Sequence, residues 1–280
     1  MAEAIKNYVQ IDGVKLWTAC QGDSALPVVL CHGGPGAYDT LGPIADMIND
    51  LSTVYRYDQR GGGRSGRVGP YTVERFVNDL EAIRQYYGIE RWIVGGHSAG
   101  ANLALRYAMA YPQRVVGLIY LNGAGLRREW VDGDGVWHDW GEYHRACDAK
   151  LTQEQRLRLK SLTDRMARQE ILGETDYCDP RNVLRKQVYD PSMLNMEVNR
   201  ALGHFADSTH ISDASELAMP ALIVHGEGDP RPLCPVRHLA GTLQDAHLHV
   251  IEKLGHYPYL EAVEQVRGLL REFVSGLSNH

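Results

Sequence analysis

The chain has 280 residues, of which 44% are hydrophobic and 23% are charged, the profile of a soluble globular protein. Its formal net charge is −6 and its basic residues form no concentrated face, which argues against a nucleic-acid partner. The five cysteines are scattered and include no C-x-x-C pair, which argues against a disulfide framework and a zinc site.

The N-terminal residues lack the basic and apolar regions of a signal peptide. No apolar run approaches the ~18 residues needed to cross a bilayer. We therefore expect a cytoplasmic protein without a membrane partner. It is expected to act on a small-molecule substrate as a monomer or a homodimer.

Short apolar runs alternate with stretches of helical spacing along most of the chain. The first two β segments, 8–11 and 14–19, meet at Asp12-Gly13, a strong hairpin signal. Six further strands are predicted at 28–31, 53–57, 92–95, 115–121, 221–224 and 247–251. Helices are predicted at 38–51, 73–87, 98–111, 236–243 and 259–277. Buried strands that alternate with helices predict an α/β fold, with a mostly parallel central sheet flanked by helices.

The alternation stops between residues 126 and 217, where helix signals predominate. Thr152-Gln153-Glu154-Gln155 is a capping box and predicts a helix to about Leu172. Pro191 can open another helix that runs through Met196 to Phe205. A helical insertion after the sixth main strand predicts a cap over the sheet edge where ligands bind. The predicted division is a core at 1–125 and 218–280, with a cap at 126–217.

A G-x-S-x-G motif, Gly96-His97-Ser98-Ala99-Gly100, lies between a predicted strand and a predicted helix. A nucleophile elbow requires this context, because the sharp turn lifts the serine hydroxyl clear of the sheet. The flanking glycines are needed because a Cβ there would clash with the neighbouring strand and helix. We predict that Ser98 is the nucleophile of an α/β-hydrolase fold. A chance serine in a glycine-rich turn is the alternative.

A second turn, His32-Gly33-Gly34-Pro35-Gly36, directly follows the strand at 28–31. α/β-Hydrolases place an oxyanion donor at this position. Because Pro35 has no N–H, we predict that Gly34 is the donor and that the backbone N–H of Ala99 is its partner. Each such donor typically contributes about 10²–10³ in rate. A tight turn without a catalytic role is the alternative.

Asp229 and His256 follow the last two predicted strands and supply the other members of a triad. The chain order Ser, Asp, His is the one that this fold requires. A serine hydroxyl is weakly nucleophilic until a histidine takes its proton, and the carboxylate fixes the imidazole tautomer. Glu227 is the second candidate for the acid. His97 adjoins the serine but leaves the elbow on its other side, so it is the weaker candidate for the base.

The stretch from Asp58 to Ser65 is also glycine-rich, but it lacks the pattern of a phosphate loop. We expect Asp58 and Arg60 to satisfy loop backbone and to brace the oxyanion turn. His32 is expected to hydrogen-bond loop backbone as well. Both His32 and His97 remain candidate substrate contacts.

The oxyanion turn, Asp58-Gln59-Arg60-Gly61 and the elbow together resemble the proline iminopeptidase branch of the α/β-hydrolases over the whole core. That branch usually has a G-G-S-W-G elbow, whereas this chain has His97 before the serine and Ala99 after it. The departure at Ala99 favours an ester over an amide substrate. The resemblance also implies acidic cap residues that hold a free amine, for which the candidates are Glu197, Asp207 and Asp213.

The sequence as a whole, cap included, is similar to the serine-dependent macrolide esterases of integron cassettes. This resemblance implies hydrolysis of the lactone ester of macrolide antibiotics, and hence a role in antibiotic resistance. Large cap side chains are candidates for lining a broad substrate pocket: Trp130, Trp137, Trp140, Tyr143, Met166, Met193, Met196 and Phe205. Acidic neighbours that could favour an amino sugar are Asp132, Asp134 and Asp139. Packing of the lid on the core is the alternative role for the aromatic residues.

We therefore expect a serine-dependent carboxylic-ester hydrolase that forms an acyl-enzyme on Ser98 and uses no metal or organic cofactor. An aminopeptidase that releases an N-terminal residue is one alternative, and a general esterase or lactonase is another. A ligand-binding receptor that keeps the triad but turns over negligibly is a third.

Overall fold

The computed structural model describes residues 4–125, 138–163, 170–179, 181, 187–202 and 214–277, except the side chains of 138–142. The strands in these ranges form one sheet in the spatial order β1-β2-β4-β3-β5-β6-β7-β8. Their bounds are Ile5–Ile11, Val14–Gln21, Pro27–Cys31, Thr53–Tyr57, Trp92–His97, Val115–Leu121, Ala221–Gly226 and Ala246–Ile251. The β1–β2 and β2–β4 pairings are antiparallel, and every pairing from β4 to β8 is parallel. The predicted mostly parallel sheet is confirmed.

Helices cover both faces of this sheet. The described α-helices are α1 (Gly42–Ile48), α2 (Val73–Tyr86), α3 (Ala99–Ala110), α4 (His138–Lys150), α5 (Gln153–Ser161), α6 (Met196–Leu202), α7 (Cys234–Thr242), α8 (Pro258–Glu261) and α9 (Val263–Leu277). α1 and α9 pack on one face, and α2, α3 and α7 pack on the other. None of the helices in the described ranges is long and apolar enough to cross a membrane.

The apolar strand runs arise because each central strand is buried on two sides. In β3, Val28 and Leu30 belong to the core under α1 and α9, whereas Val29 between them belongs to the opposite core. Successive side chains of a strand point to opposite faces, so a doubly covered strand must be apolar throughout.

Helix α1 is shorter than the predicted helix at 38–51. Pro43 lies in its first turn, where its fixed φ suits a helix start, so the preceding residues form a loop. The helix predicted at 259–277 is divided into α8 and α9, because Ala262 leaves the helical conformation between them.

Two helices predicted in residues 126–217, here called the insertion, have different bounds in the structure. The capping box at Thr152 is present, but α5 ends at Ser161 because Leu162 is extended, and residues 170–173 are again helical. The helix predicted from Pro191 is instead a single 3₁₀ turn, Pro191–Met193, followed by extended Leu194. α6 then starts afresh, since the Asn195 side chain accepts the Glu197 N–H at 3.0 Å as a cap.

The parallel strands all present their carboxyl ends at one edge of the sheet. The loops that leave β3, β5, β6, β7 and β8 therefore meet there, although the chain connects them over more than 200 residues.

Candidate active site

Ser98 lies at a sharp turn between β5 and α3, with φ 57° and ψ −126°. A Cβ at Gly96 would overlap the Gly100 carbonyl at the start of α3, and a Cβ at Gly100 would overlap the carbonyl oxygens of Cys31 and His32. Both flanking positions therefore require glycine, as the sequence predicts. A left-handed, non-glycine residue held this way is typical of a functional turn.

Asp229 and His256 meet at the same edge of the sheet. His256 donates its Nδ1–H to Asp229 Oδ2 over 2.7 Å, and both side chains are buried. Because an ionised carboxylate only accepts hydrogen bonds, Nδ1 must carry the proton, and the lone pair of Nε2 is left free to accept one. This is the tautomer that a general base for Ser98 requires.

Asp229 is held in place by two further side chains. The Asn122 Nδ2 group donates to Asp229 Oδ2 over 2.8 Å, and the Arg231 backbone N–H and Nη1 each donate to Oδ1 over 3.0 Å. Burial opposes ionisation here, but the charges of His256 and Arg231 outweigh it and hold the pKa of Asp229 well below its usual range. The acid therefore stays ionised at neutral pH.

The backbone groups of residues 255–257, here called the histidine loop, are hydrogen-bonded to three other segments of the chain. The Glu261 carboxylate accepts the N–H groups of Gly255 at 3.1 Å and Tyr257 at 3.3 Å. The His256 N–H donates to the Asp176 carbonyl over 2.6 Å, and Asn122 donates to the Gly255 carbonyl over 3.0 Å. Such complete pairing fixes the backbone that carries the imidazole.

Ser98 and His256 line one cleft of about 200 Å³. Residues 33–36 of the oxyanion turn and Ala37 form one wall, and Arg231 and Tyr257 lie on the side of His256. The rest of the described lining comes from His97 and from the insertion, through Asp176, Tyr189, Leu194, Asn195, Met196 and Asn199.

The proposed oxyanion donors lie where the elbow meets the oxyanion turn. Ala99 is the first residue of α3, so its N–H has no acceptor within the helix. Gly34 has φ 57°, a conformation that favours glycine. The turn is fastened from the insertion, because Asn195 donates its N–H to the Gly36 carbonyl over 2.8 Å and Asn199 Nδ2 donates to the Pro35 carbonyl over 3.3 Å.

The structure separates the other candidate contacts. Met196 and His97 line the cleft. His32 is buried outside the described lining, with Nδ1 donating to the Gly33 carbonyl and Nε2 accepting the Gln59 N–H. Tyr143 lies beside Arg231, whose guanidinium is 5.5 Å from its ring centroid. Outside the described residues lie Trp130, Asp132, Asp134, Trp137, Met166, Phe205, Asp207 and Asp213, and the same holds for the side chains of Asp139 and Trp140.

Glu227, the second candidate for the acid, and the glycine-rich stretch from Asp58 to Ser65 lie in different surroundings. Glu227 is exposed, and Asp229 is the carboxylate that contacts His256. Asp58 accepts the Asp39 N–H at 2.8 Å and pairs with Arg64, while Arg60 pairs with buried Asp79. Asp58 thus binds the loop after the oxyanion turn, and Arg60 secures its own loop to α2.

Sequence reasoning did not find four residues that support the site, namely Asn122, Asp176, Arg231 and Glu261. Asn122 directly follows β6, and Arg231 follows Asp229 by two residues, so position along the chain could have suggested both. Asp176 and Glu261 carry no comparable signal. In the described residues, no group of three or more His, Cys, Asp or Glu side chains could hold a metal ion.

A sequence profile for the alpha/beta hydrolase fold matches residues 27–263. The chain belongs to the α/β-hydrolase family. Among curated relatives, this α/β-hydrolase is 33% identical over 165 residues to a proline iminopeptidase of Neisseria gonorrhoeae, covering 54% of this chain and 52% of the relative. It is 24% identical over 269 residues to a proline iminopeptidase of Heyndrickxia coagulans, covering 90% and 91%. The chain spans about half or less of the length of the relatives that it matches above 30% identity.

Solved structures show the same fold. The crystal structure of VinJ superimposes with a TM-score of 0.78 at 21% identity, covering 98% of this chain and 99% of the other. Est816, described as an N-acyl homoserine lactone degrading enzyme, gives 0.71 at 21% identity, covering 95% and 100%. At these identities the likeness extends to the fold alone, and the predicted α/β-hydrolase fold is confirmed.

Proposed function

We propose that this α/β-hydrolase is a serine-dependent carboxylic-ester hydrolase with Ser98, His256 and Asp229 as its triad. The observation that carries the proposal is the buried 2.7 Å contact between His256 Nδ1 and Asp229, which leaves Nε2 free beside a cleft that Ser98 also lines. The strained elbow supports the same role for Ser98, since it lifts the hydroxyl towards that cleft.

The proposed reaction has two acyl-transfer steps. Ser98 Oγ attacks the ester carbonyl while His256 Nε2 takes its proton, and the oxyanion is bound by the N–H groups of Gly34 and Ala99. The carbon–oxygen bond breaks as His256 gives the proton to the leaving alkoxide. Water then attacks the acyl-enzyme with the same histidine as base, which releases the acid and restores Ser98.

The surroundings of the cleft favour an uncharged ester over a substrate with a free amine. Asp176 is the one acidic side chain in the described lining, and it is paired with Arg231 over 2.8 Å. Glu197, a candidate for binding an amine, is exposed on α6 outside that lining. An ammonium group would therefore find no unpaired carboxylate in the described lining of the cleft.

We propose a macrolide lactone as the substrate class, on the strength of the sequence's similarity to macrolide esterases. Ring opening uses the chemistry above, with leaving alcohol and acid kept in one molecule. Est816, which shares the fold, is described as degrading another lactone. We further propose that residues 126–217 form a cap, because the insertion contacts the oxyanion turn through Asn195 and the histidine loop through Asp176.

The test compares an aryl ester and a macrolide, each with wild-type protein and with the Ser98→Ala variant. We expect cleavage of an aryl ester such as p-nitrophenyl butyrate, and macrolide products heavier by one water in mass spectrometry. Both activities should disappear in Ser98→Ala. A wild-type protein that hydrolyses neither ester would refute the proposal and favour a ligand-binding receptor. Aryl-ester cleavage without macrolide cleavage would leave the esterase and exclude this substrate class.

An aminopeptidase is the second candidate, because the curated relatives above are proline iminopeptidases. Release of arylamine from prolyl p-nitroanilide, faster than cleavage of either ester, would establish it instead. We expect slow or no release, because the described cleft lacks an unpaired carboxylate for the amine.

A further inference from the structure

His97 connects the two loops that must meet for the proposed reaction. The elbow leaves β5 and the histidine loop leaves β8, three positions apart in the sheet. At the usual spacing of neighbouring strands this separates their origins by about 14 Å. The alignment of Ser98 with His256 therefore depends on how both loops are held above the sheet.

A direct hydrogen bond crosses this gap. His97 Nε2 lies 2.6 Å from the backbone carbonyl oxygen of His256, and both atoms are buried. A carbonyl only accepts, so Nε2 must carry the proton, and this nitrogen is not available as a base. The residue that adjoins the nucleophile thus binds the backbone of the residue that activates it.

The ring of His97 is also packed against the histidine loop and against α8. Its centroid lies 4.6 Å from that of His256, 5.5 Å from Tyr257 and 5.3 Å from Tyr259. Burial, together with the charge of His256, holds the pKa of His97 well below its usual range. The ring is therefore neutral at physiological pH and keeps one tautomer.

We propose that His97 is a positioning residue that fixes the catalytic imidazole relative to Ser98 through its bond to the His256 carbonyl. This inference rests on the proposed serine-hydrolase function. Misplacement of a catalytic group by about 1 Å can cost roughly 10²-fold in rate, so one such bond between loops has a measurable effect.

The test uses two amides that differ by one methylene. In His97→Gln the side-chain nitrogen reaches the place of Nε2 and can donate to the carbonyl, whereas in His97→Asn it reaches only the place of Nδ1. We expect His97→Asn to lose about 10- to 100-fold in kcat on the aryl ester with KM nearly unchanged. His97→Gln should retain most of the activity. Rates are expressed per active site, titrated with a fluorophosphonate that labels Ser98.

Two readouts keep the inference separate from folding and from the proposed function. Equal kcat in the two variants would overturn it, even if both melt at a lower temperature, because packing alone would then explain His97. Should His97→Asn not fold, ¹⁵N NMR of wild-type imidazoles decides, since a His97 ring protonated on Nδ1 would overturn the inference. Failure of wild-type protein to react with the fluorophosphonate at Ser98 would refute the serine-hydrolase proposal itself.

Discussion

Replacing Asp229 by asparagine tests the proposed triad at a side chain that accepts four hydrogen bonds. Each carboxylate oxygen accepts two hydrogen bonds: Oδ2 from His256 and Asn122, and Oδ1 from the backbone and guanidinium of Arg231. A carboxamide offers one oxygen and one NH₂ group. Whichever way it is oriented, its NH₂ group faces two donors.

The surroundings decide which orientation has the lower energy. Arg231 cannot give up its proton, so an NH₂ group beside it would face a cation and a fixed backbone N–H. On the other side, His256 can move its proton from Nδ1 to Nε2 and then accept at Nδ1, so that only the Asn122 amide, which also donates to the Gly255 carbonyl, still opposes the new donor. The NH₂ group therefore faces His256, which then holds a proton on Nε2 and cannot accept one from Ser98.

We expect kcat/KM of Asp229→Asn to fall by about 10⁴, or about 5 kcal/mol of transition-state stabilisation. The free energy of unfolding should fall by about 1–3 kcal/mol, because Arg231 loses an ionised partner. Glu227→Gln is the matched control: this carboxylate is exposed, so activity should change by less than about twofold. An Asp229→Asn variant with more than roughly a tenth of wild-type kcat/KM would refute the tautomer argument.

Three further predictions concern stability. Gly100→Ala should cost about 3 kcal/mol or more in urea unfolding, because its Cβ would overlap the Cys31 carbonyl, whereas Gly268→Ala, with open space inside α9, should gain about 0.5–1 kcal/mol. Lys150→Met should lower the melting temperature, since Lys150 Nζ donates to the carbonyls of Thr175, Tyr177 and Gly228 and so joins the insertion to the loop that carries Asp229. An unchanged melting temperature would show that these bonds contribute nothing to stability. Burial lowers the pKa of His97, so the unfolded chain binds more protons, and stability is lost as the pH falls below about 6.5. His97→Gln should remove about 1 kcal/mol of that loss between pH 6.5 and 5.5, because the unfolded histidine goes from half to about nine-tenths protonated over this range. The same pH dependence of the free energy of unfolding in the two proteins would contradict this.

The sheet was predictable because its signals are local. Strands covered on both faces must be apolar along their length, so runs such as 53–57 and 115–121 mark the strand bounds directly. The insertion was less predictable, because its helices end for tertiary reasons. Among the residues of α5, Leu159 alone is buried, and so little packing holds the helix beyond Ser161.

The candidate site could be predicted where its proposed chemistry requires a fixed spacing, as in the elbow and the proposed oxyanion turn. Its supports were not, because they depend on pairs that are distant along the chain. Asn122 and Asp229 are 107 residues apart, and Asp176 and Arg231 are 55 apart. No local sequence pattern connects such residues. The sequence around them does not distinguish them from the other asparagines and aspartates of the chain.

In the insertion, the same residues line the cleft and contact the proposed catalytic loops. Asp176 lines the cleft, and it also accepts the His256 N–H and pairs with Arg231, which holds the acid. Asn195 lines the opposite side and binds the oxyanion turn. Because the same residues line the cleft and contact the proposed catalytic loops, we expect substitutions that change substrate preference in this region to alter the support of the proposed triad as well. Conversely, we expect a substrate that displaces Asp176 to act on Asp229 through Arg231, which would couple binding to catalysis by direct contacts.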